Sequence, residues 1–401
     1  MKVCIRAGMA KGQVQAPPSK SAAHRALICA ALAKGTSIVR GVGESQDLLA
    51  TLDCIRALGA KAELCGNTAT VAGFANPPAG YFPCRESGST LRFFLPLCLL
   101  KATPSVLSGS SRLLERPMEI YRKLCGEQGL LYEQTEEQIR VCGPLSPGNF
   151  QIRGNLSSQF LSGLLFALPL LGGESRIIVE PPFVSRPYAE MTIDTLEKFG
   201  IRVERPDPLT FVISGGQSYR PADFTVEGDW SNAAFYEALN LLGGNVTVSG
   251  LNPASRQGDR VYQSVFPQLL SGRPTVDIAD CPDLAPVFMA LGAAFHGIVL
   301  KNTARLKIKE SDRGAAMAQE LAKFGVACKV EENTVAVSGG GVKKPAVPIF
   351  GHNDHRIVMA CATLLTRTGG ELEGAEAVTK SNPTYFADLQ NLGIGAEILW
   401  N

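Results

Sequence analysis

The stretch "SKSAAHRALICAALAKGTSIVRG" (Ser19–Gly41) holds the organisation of the whole chain in miniature. Its mouth is polar, with Ser19, Lys20 and Ser21. Its body is Ala, Leu, Ile and Cys with hardly a polar stripe, and its tail from Thr36 to Arg40 has the residues of a β-strand. A body that is apolar on every side predicts a helix buried all round. The pattern recurs as "SGSTLRFFLPLCLLKATPSVLSG", "LSSQFLSGLLFALPLLGGESRIIVE", "DWSNAAFYEALNLLGGNVTVSG", "CPDLAPVFMALGAAFHGIVLKN" and "DHRIVMACATLLTRTGGELEG". The openings fall at Ser21, Ser89, Ser157, Ser231, Asp283 and Asp354, usually about 70 residues apart.

A second signal keeps step with the first. Amphipathic segments such as "IRALGAKAEL", "LEKFGIRVE" and "LAKFGVACKV" run into Gly59, Gly129, Gly200, Gly272, Gly325 and Gly393, where a helix C-terminus is expected. β-rich runs such as "RIIVE" and "TVAVSG" fill the strand slots. Each unit reads as a βαβαββ-like module, and six modules predict two domains of three. The interval between Gly272 and Gly325 is compressed, which predicts a trimmed loop in the second half.

Bulk properties narrow the partners. Hydrophobic residues make up 45% of the 401 and charged residues 19%, as in a folded globular chain. With 39 basic and 37 acidic residues the net charge is +2, so nothing marks a nucleic-acid or membrane-surface binder. The longest apolar run, "FLSGLLFALPLL", is too short to cross a bilayer about 30 Å thick. The start, "MKVCIRAGMAKG", lacks the apolar core of a secretory signal. Eleven cysteines without a CxxC pair read as free, mostly buried thiols in a reducing cytoplasm. Four histidines leave little for a metal site.

The helix mouths carry more polarity than capping needs. Ser, Thr or Asp at a helix start satisfies orphan N–H groups, but Lys20 and Arg25 face an unfavourable dipole costing about 0.3–1 kcal/mol each. An anion between the cation and the helix end removes that conflict. Ser157, Ser158 and Gln159 add neutral donors, and His355 and Arg356 add cations. Arg92, Arg116 and Arg313 offer forks for carboxylates or phosphates, although each alone reads as a surface arginine. Asp283 sits at a helix start, where N-capping is the plain reading, and "KESD" around Lys309 and Glu310 would alone be a solvated charge run.

Taken in order, "PPSKSAAHRAL", "ESGSTLRF", "ERPM", "GNLSSQFLSGLL", "SRPYAEMT", "CPDLAPV", "RLKIKESDR", "HNDHRIVMA" and "TKSNPTYF" closely resemble the enolpyruvyl transferase family, in its shikimate-pathway branch. The resemblance implies a mixed α and β fold, an inside-out, barrel-like α/β prism of two domains, each of three βαβαββ repeats. The domains would be 19–226, on the shikimate 3-phosphate side, and 1–18 with 227–401, with the active site in the cleft between them. It implies transfer of the carboxyvinyl group of phosphoenolpyruvate to the 5-hydroxyl of shikimate 3-phosphate, through a tetrahedral intermediate and with release of phosphate. These two small-molecule substrates would be the only partners of a cytoplasmic monomer, with no nucleic acid, membrane, metal or organic cofactor.

Carried over by position, Lys20, Ser21, Arg25, Ser157, Ser158, Gln159, Ser185, Tyr188 and Asp283 match the shikimate 3-phosphate site. Lys20, Gly88, Arg116, Gln159, Arg313, Arg356 and Lys380 match the phosphoenolpyruvate pocket. Lys20, Asp283 and Glu310 match the groups of proton transfer. The chain departs from the family at Glu86-Ser87-Gly88-Ser89, where many members have Asn-x-Gly-Thr; a carboxylate there needs Arg85 or Arg92 as a partner, or must point away. Two alternatives remain at this level: the sister reaction on a UDP-sugar, and a non-catalytic shikimate-phosphate-binding protein on the same scaffold. A nucleotide kinase is excluded, because no GxxxxGK[ST] loop exists.

Overall fold

The computed structural model describes residues 1–74 and 80–399. Contacts divide the chain into two compact units, one formed by Pro18–Glu227 and one by Met1–Pro17 with Gly228–Asn401. Each has its own apolar core.

In the unit Pro18–Glu227 the helices are α1 (Lys20–Leu32), α2 (Gln46–Ala57), α3 (Gly88–Cys98), the short α4 (Ser111–Leu114), α5 (Glu119–Glu127), α6 (Ser158–Ala167) and α7 (Arg186–Lys198). The other unit has α8 (Trp230–Leu241), α9 (Tyr262–Ser271), α10 (Ala285–Ala294), α11 (Arg313–Lys323), α12 (His355–Thr368) and α13 (Tyr385–Asn391). The six greasy segments are α1, α3, α6, α8, α10 and α12. All ten residues of α10 are buried, and α1 and α12 are buried from their first turn almost to their ends.

Five of the sheets repeat one design. An edge strand pairs in parallel with the next strand, which pairs antiparallel with a third, and in four of the five the third and fourth strands are the arms of a hairpin. Thus Asp223–Thr225, Thr36–Arg40, Thr68–Ala72 and Lys61–Cys65 lie side by side in that order. The sheets built on Ser105–Ser108, Ser175–Glu180, Gly297–Lys301 and Gly370–Glu373 follow the same order. All are open sheets, so the barrel-like part of the expectation resolves into open four-stranded sheets around helices. In the last sheet the strand Lys2–Ile5 lies between Gly370–Glu373 and Ala396–Leu399, antiparallel to both.

The sixth sheet departs from the design. Lys11–Gln15 pairs in parallel with Asn245–Ser249, and no hairpin follows among the described residues. After α9 the chain passes Gly272 and enters the next module's first strand at Thr275. The compressed interval therefore records a lost hairpin, not a trimmed loop. The backbone shows why. Gly59, Gly129, Gly200, Gly325 and Gly393 all have positive φ, between 65° and 102°, and turn the chain back after the helix. Gly272, with φ of 176°, is extended and lets the chain run straight on.

Close helix packing keeps the mouths of α3 and α6 together. The Tyr121 hydroxyl donates to the carbonyls of Arg92 (2.7 Å) and Phe160 (3.2 Å), one on each helix. A side chain at Gly163 would drive its Cβ into the Arg92 carbonyl and the Tyr121 hydroxyl. Gly163→Ala is expected to cost about 1–3 kcal/mol of unfolding free energy by urea titration. An unchanged denaturation midpoint would show that these helices can separate freely.

Candidate functional site

At the mouth of α1 the Ser19 hydroxyl accepts from the Ala22 N–H at 3.3 Å. Lys20 Nζ donates to Asp47 Oδ2 at 2.6 Å, so an acid in the first turn of α2 meets the charge that the helix dipole opposes. Arg25 is buried and pins three helices together. It donates to the Ser21 carbonyl (2.6 Å), Thr192 Oγ1 (2.7 Å), the Tyr188 carbonyl (2.9 Å) and Ser162 Oγ (3.4 Å). Burial lowers its pKa to about 10, which leaves it charged at neutral pH.

The mouth of α3 begins at Gly88, with Ser87 as N-cap accepting from the Thr90 N–H at 3.2 Å. A Cβ at Gly88 would lie 2.7 Å from Arg116 Nη1, so the absence of a side chain makes room for that guanidinium. Gln159 bridges α6 to α3: its amide donates to Ser89 Oγ (2.9 Å) and its carbonyl accepts from Arg92 (2.7 Å). Ser157 caps α6 by accepting from the Gln159 N–H, and Ser158 is buried beside it. Ser185 precedes α7 with φ of 56°, a strained conformation for a residue with a side chain. Arg85 turns to Asp53 (2.6 Å) and Gln46 (2.7 Å).

In the other unit a guanidinium organises the charges. Arg313, 1% exposed, donates to Asp283 Oδ1 (2.7 Å), Glu310 Oε2 (2.7 Å) and Asp354 Oδ2 (2.9 Å). Lys309 Nζ also reaches Asp283 Oδ1 at 3.2 Å. Asp354 caps α12 through the Arg356 N–H at 2.9 Å and accepts from Ser311 at 3.0 Å. Arg356 Nη2 donates to Ser231 Oγ at 2.6 Å and lies 3.8 Å from Asp283 Oδ2. Its Nε and Nη1 are buried with no hydrogen-bond partner among the described residues. Lys380 Nζ donates to the Asn353 carbonyl at 2.7 Å, in a loop where His352 and Asn353 both have positive φ.

Most residues singled out from the sequence thus fall into two clusters. Lys20, Ser21, Arg25, Gly88, Arg116, Ser157, Ser158, Gln159, Ser185 and Tyr188 belong to one unit; Asp283, Glu310, Arg313, Arg356 and Lys380 belong to the other. Some plain readings change. Arg92, Arg116 and Arg313 are buried, not surface arginines. Asp283 does not cap a helix; it sits in a 3-10 turn (Pro282–Leu284) ahead of α10 and spends its carboxylate on cations. "KESD" is no solvated charge run, because Lys309 and Glu310 are half-buried in the ion cluster. The sequence does not mark Asp47, Asp354 or Asn232, whose buried amide has no partner among the described residues, as site residues. Only Asp354 left a signal, as the opening of the sixth repeat.

Two solved structures share this architecture. The EPSP synthase of Acinetobacter baumannii superposes with a TM-score of 0.79 at 24% identity, covering 100% of both chains. The enolpyruvyl transferase NikO of Streptomyces tendae gives 0.77 at 16% identity, over 99% of this chain and 98% of that one. At such identities the likeness is one of fold, and that fold is the one found in enolpyruvyl transferases. Sequence takes the assignment further. Residues 6–389 match the EPSP synthase (3-phosphoshikimate 1-carboxyvinyltransferase) family. A 3-phosphoshikimate 1-carboxyvinyltransferase of Clostridium kluyveri is 37% identical over 98% of this chain and 97% of its own. One from Clostridium perfringens strain 13 is 35% identical over 98% of each. The chain belongs to the EPSP synthase family.

The ion cluster sets an acid limit. Burial alone would raise the pKa of Asp283, but Lys309, Arg313 and Arg356 hold it well below the ordinary 3.8. A depressed folded pKa adds stability that is fully present above the unfolded value and is lost as pH falls through the folded one. The gap in unfolding free energy between the protein and Asp283→Asn should hold steady down to about pH 4 and narrow below it. A gap that widens on acidification, measured by urea titration at each pH, would contradict this geometry.

Proposed function

We infer that this protein transfers the carboxyvinyl group of phosphoenolpyruvate to the 5-hydroxyl of shikimate 3-phosphate, releasing phosphate. Membership of the EPSP synthase family supports the reaction. The observation that carries it at atomic level is Arg356, whose buried Nε and Nη1 have no hydrogen-bond partner among the described residues and whose Nη2 lies 3.8 Å from the Asp283 carboxylate. Buried donors of this kind demand an acceptor, and an anionic substrate provides one.

Shikimate 3-phosphate is held by Lys20, Ser21, Arg25, Ser157, Ser158, Gln159, Ser185 and Tyr188, with Asp283 at its hydroxyls. Phosphoenolpyruvate is held by Lys20, Gly88, Arg116, Gln159, Arg313, Arg356 and Lys380. Both groups of residues must act on the same pair of substrates, and excluding water from the reacting atoms strengthens their electrostatics. Protonation of the methylene carbon makes C2 cation-like, and the 5-hydroxyl oxygen adds to it while giving up its proton. In the second half the methyl group returns a proton and the C2–O bond to phosphate breaks. Glu310 handles the carbon proton, Asp283 takes the hydroxyl proton, and Lys20 neutralises the departing phosphate.

The depressed pKa of Asp283 keeps it ionised, as an acceptor must be. A UDP-sugar is not favoured as acceptor, since the matching family and the 35–37% identical relatives are named for 3-phosphoshikimate. No helix of the described residues is long and apolar enough to cross a membrane. We place the enzyme in the cytoplasm, where its free thiols stay reduced, and as a monomer, because one chain supplies both clusters.

Purified protein given both substrates should release inorganic phosphate; folded protein that binds both and releases none would favour the binding-protein alternative. Lys20→Met is expected to abolish turnover while leaving the circular dichroism spectrum unchanged. Retained turnover would take Lys20 out of the mechanism. Gly88→Ala, which displaces Arg116, should raise KM for phosphoenolpyruvate about tenfold or more. An unaltered KM would separate Arg116 from that substrate.

A further inference from the structure

Below the mouth of α1 lies a hydrogen-bonded chain that the proposed chemistry does not use. His24, fully buried, has its Nδ1 2.7 Å from Thr51 Oγ1. Thr51 Oγ1 lies 2.8 Å from Thr90 Oγ1, and the Thr90 hydroxyl donates to Ser87 Oγ at 2.7 Å. Ser87 is the N-cap of α3, directly before Gly88.

The direction of the chain follows from counting protons. Thr90 spends its hydroxyl proton on Ser87, so the proton between the threonines is Thr51's. Thr51 can then only accept from the imidazole, which fixes the tautomer with hydrogen on Nδ1. Nε2 has no partner among the described residues. Burial, with Lys20 and Arg25 nearby, keeps the ring neutral. All the bonds therefore point the same way, the arrangement in which each strengthens the next.

Spacing adds the second half of the argument. Lys20 and His24 are four residues apart on α1; Asp47 and Thr51 are four apart on α2. The contacts Lys20–Asp47 (2.6 Å) and His24–Thr51 (2.7 Å) are thus two rungs, one helical turn apart, between the same pair of helices. Thr90 and Ser87 extend the lower rung to α3.

We propose that His24, Thr51 and Thr90 are positioning residues that set the register of α1, α2 and α3, and so hold Lys20 against Asp47 and at a fixed offset from Gly88. This rests on the reading of Lys20 as a reacting group. A slip of α2 against α1 would break both rungs together, and the buried lower rung resists it because its N–H and hydroxyl groups have no water to turn to.

The test compares Thr51→Val, which keeps the shape of the side chain but removes the hydroxyl, with Thr51→Ser, which restores it. Turnover, urea midpoint and the labelling rate of Lys20 by trinitrobenzenesulfonate, read by peptide mass spectrometry, are measured on each folded variant. Thr51→Val is expected to lower kcat about tenfold and to speed Lys20 labelling, as Asp47 loosens its hold. Thr51→Ser should behave like the parent in both. If Thr51→Val does not fold, Thr90→Val, which cuts the two links to α3 and leaves His24–Thr51 in place, replaces it with the same expectation.

Two results would overturn the proposal: a valine variant matching the parent in turnover and labelling, or valine and serine variants impaired alike. A parent that releases no phosphate, with labelling still faster in the valine variant, would uphold the ladder and remove the reaction assigned to Lys20.

Discussion

A helix that is apolar on every side has nowhere to go but the interior, and six such helices fix almost everything else about this protein. Their bodies are covered by strands and by the amphipathic helices that follow, as the full burial of α10 illustrates. The few polar groups on the interior faces, such as His24, Thr90 and Ser162, are tied up in hydrogen bonds to neighbouring helices. What remains are the ends, where orphan N–H groups point outward and the dipole is positive. Five of the six ends are capped by a serine or aspartate; the sixth, at α10, begins in the turn holding Asp283. Unspent donors along these helices are therefore concentrated at the mouths, where the site proposed above draws most of its residues.

Burying charge there is costly unless every charge is matched. The protein matches them locally. Asp47 answers Lys20, and Arg313 holds three carboxylates at once. These pairs keep cations near helix N-termini before any ligand arrives, so the mouths need no substrate in order to fold. Arg356 joins this balance through Asp283 at 3.8 Å, yet its Nε and Nη1 have no hydrogen-bond partner among the described residues.

The repeat was legible because it is written in local physics. Continuous apolar runs, helix-ending glycines and β-branched strands are each short-range signals, and their agreement gave the mixed α and β class and the modules. The lost hairpin showed only as a shortened interval, since missing strands leave no residues to read; the extended backbone of Gly272 gives its physical form. Arginines and serines of the mouths could be named because the motifs around them are dense. Asp47 carries no such signal for a different reason: an acid in a helix's first turn is already explained by the dipole, and its partner Lys20 is 27 residues away. Lys309 and Glu310 looked solvated because hydrophilic spelling says nothing about burial. Thr51 gave no sign at all, since a threonine inside a helix announces no partner on two neighbouring helices.

The sheet that receives Lys2–Ile5 bears on how the chain matures during synthesis. That strand lies between strands near residues 370 and 396, which are made long after it. Lys11–Gln15 likewise waits for Asn245–Ser249. The stretch Pro18–Glu227, in contrast, has every one of its sheet partners within its own span. Translation therefore supplies this middle stretch complete while the opening segment is still unmatched. Lys2–Ile5 is made before the middle stretch and finds its neighbours after it.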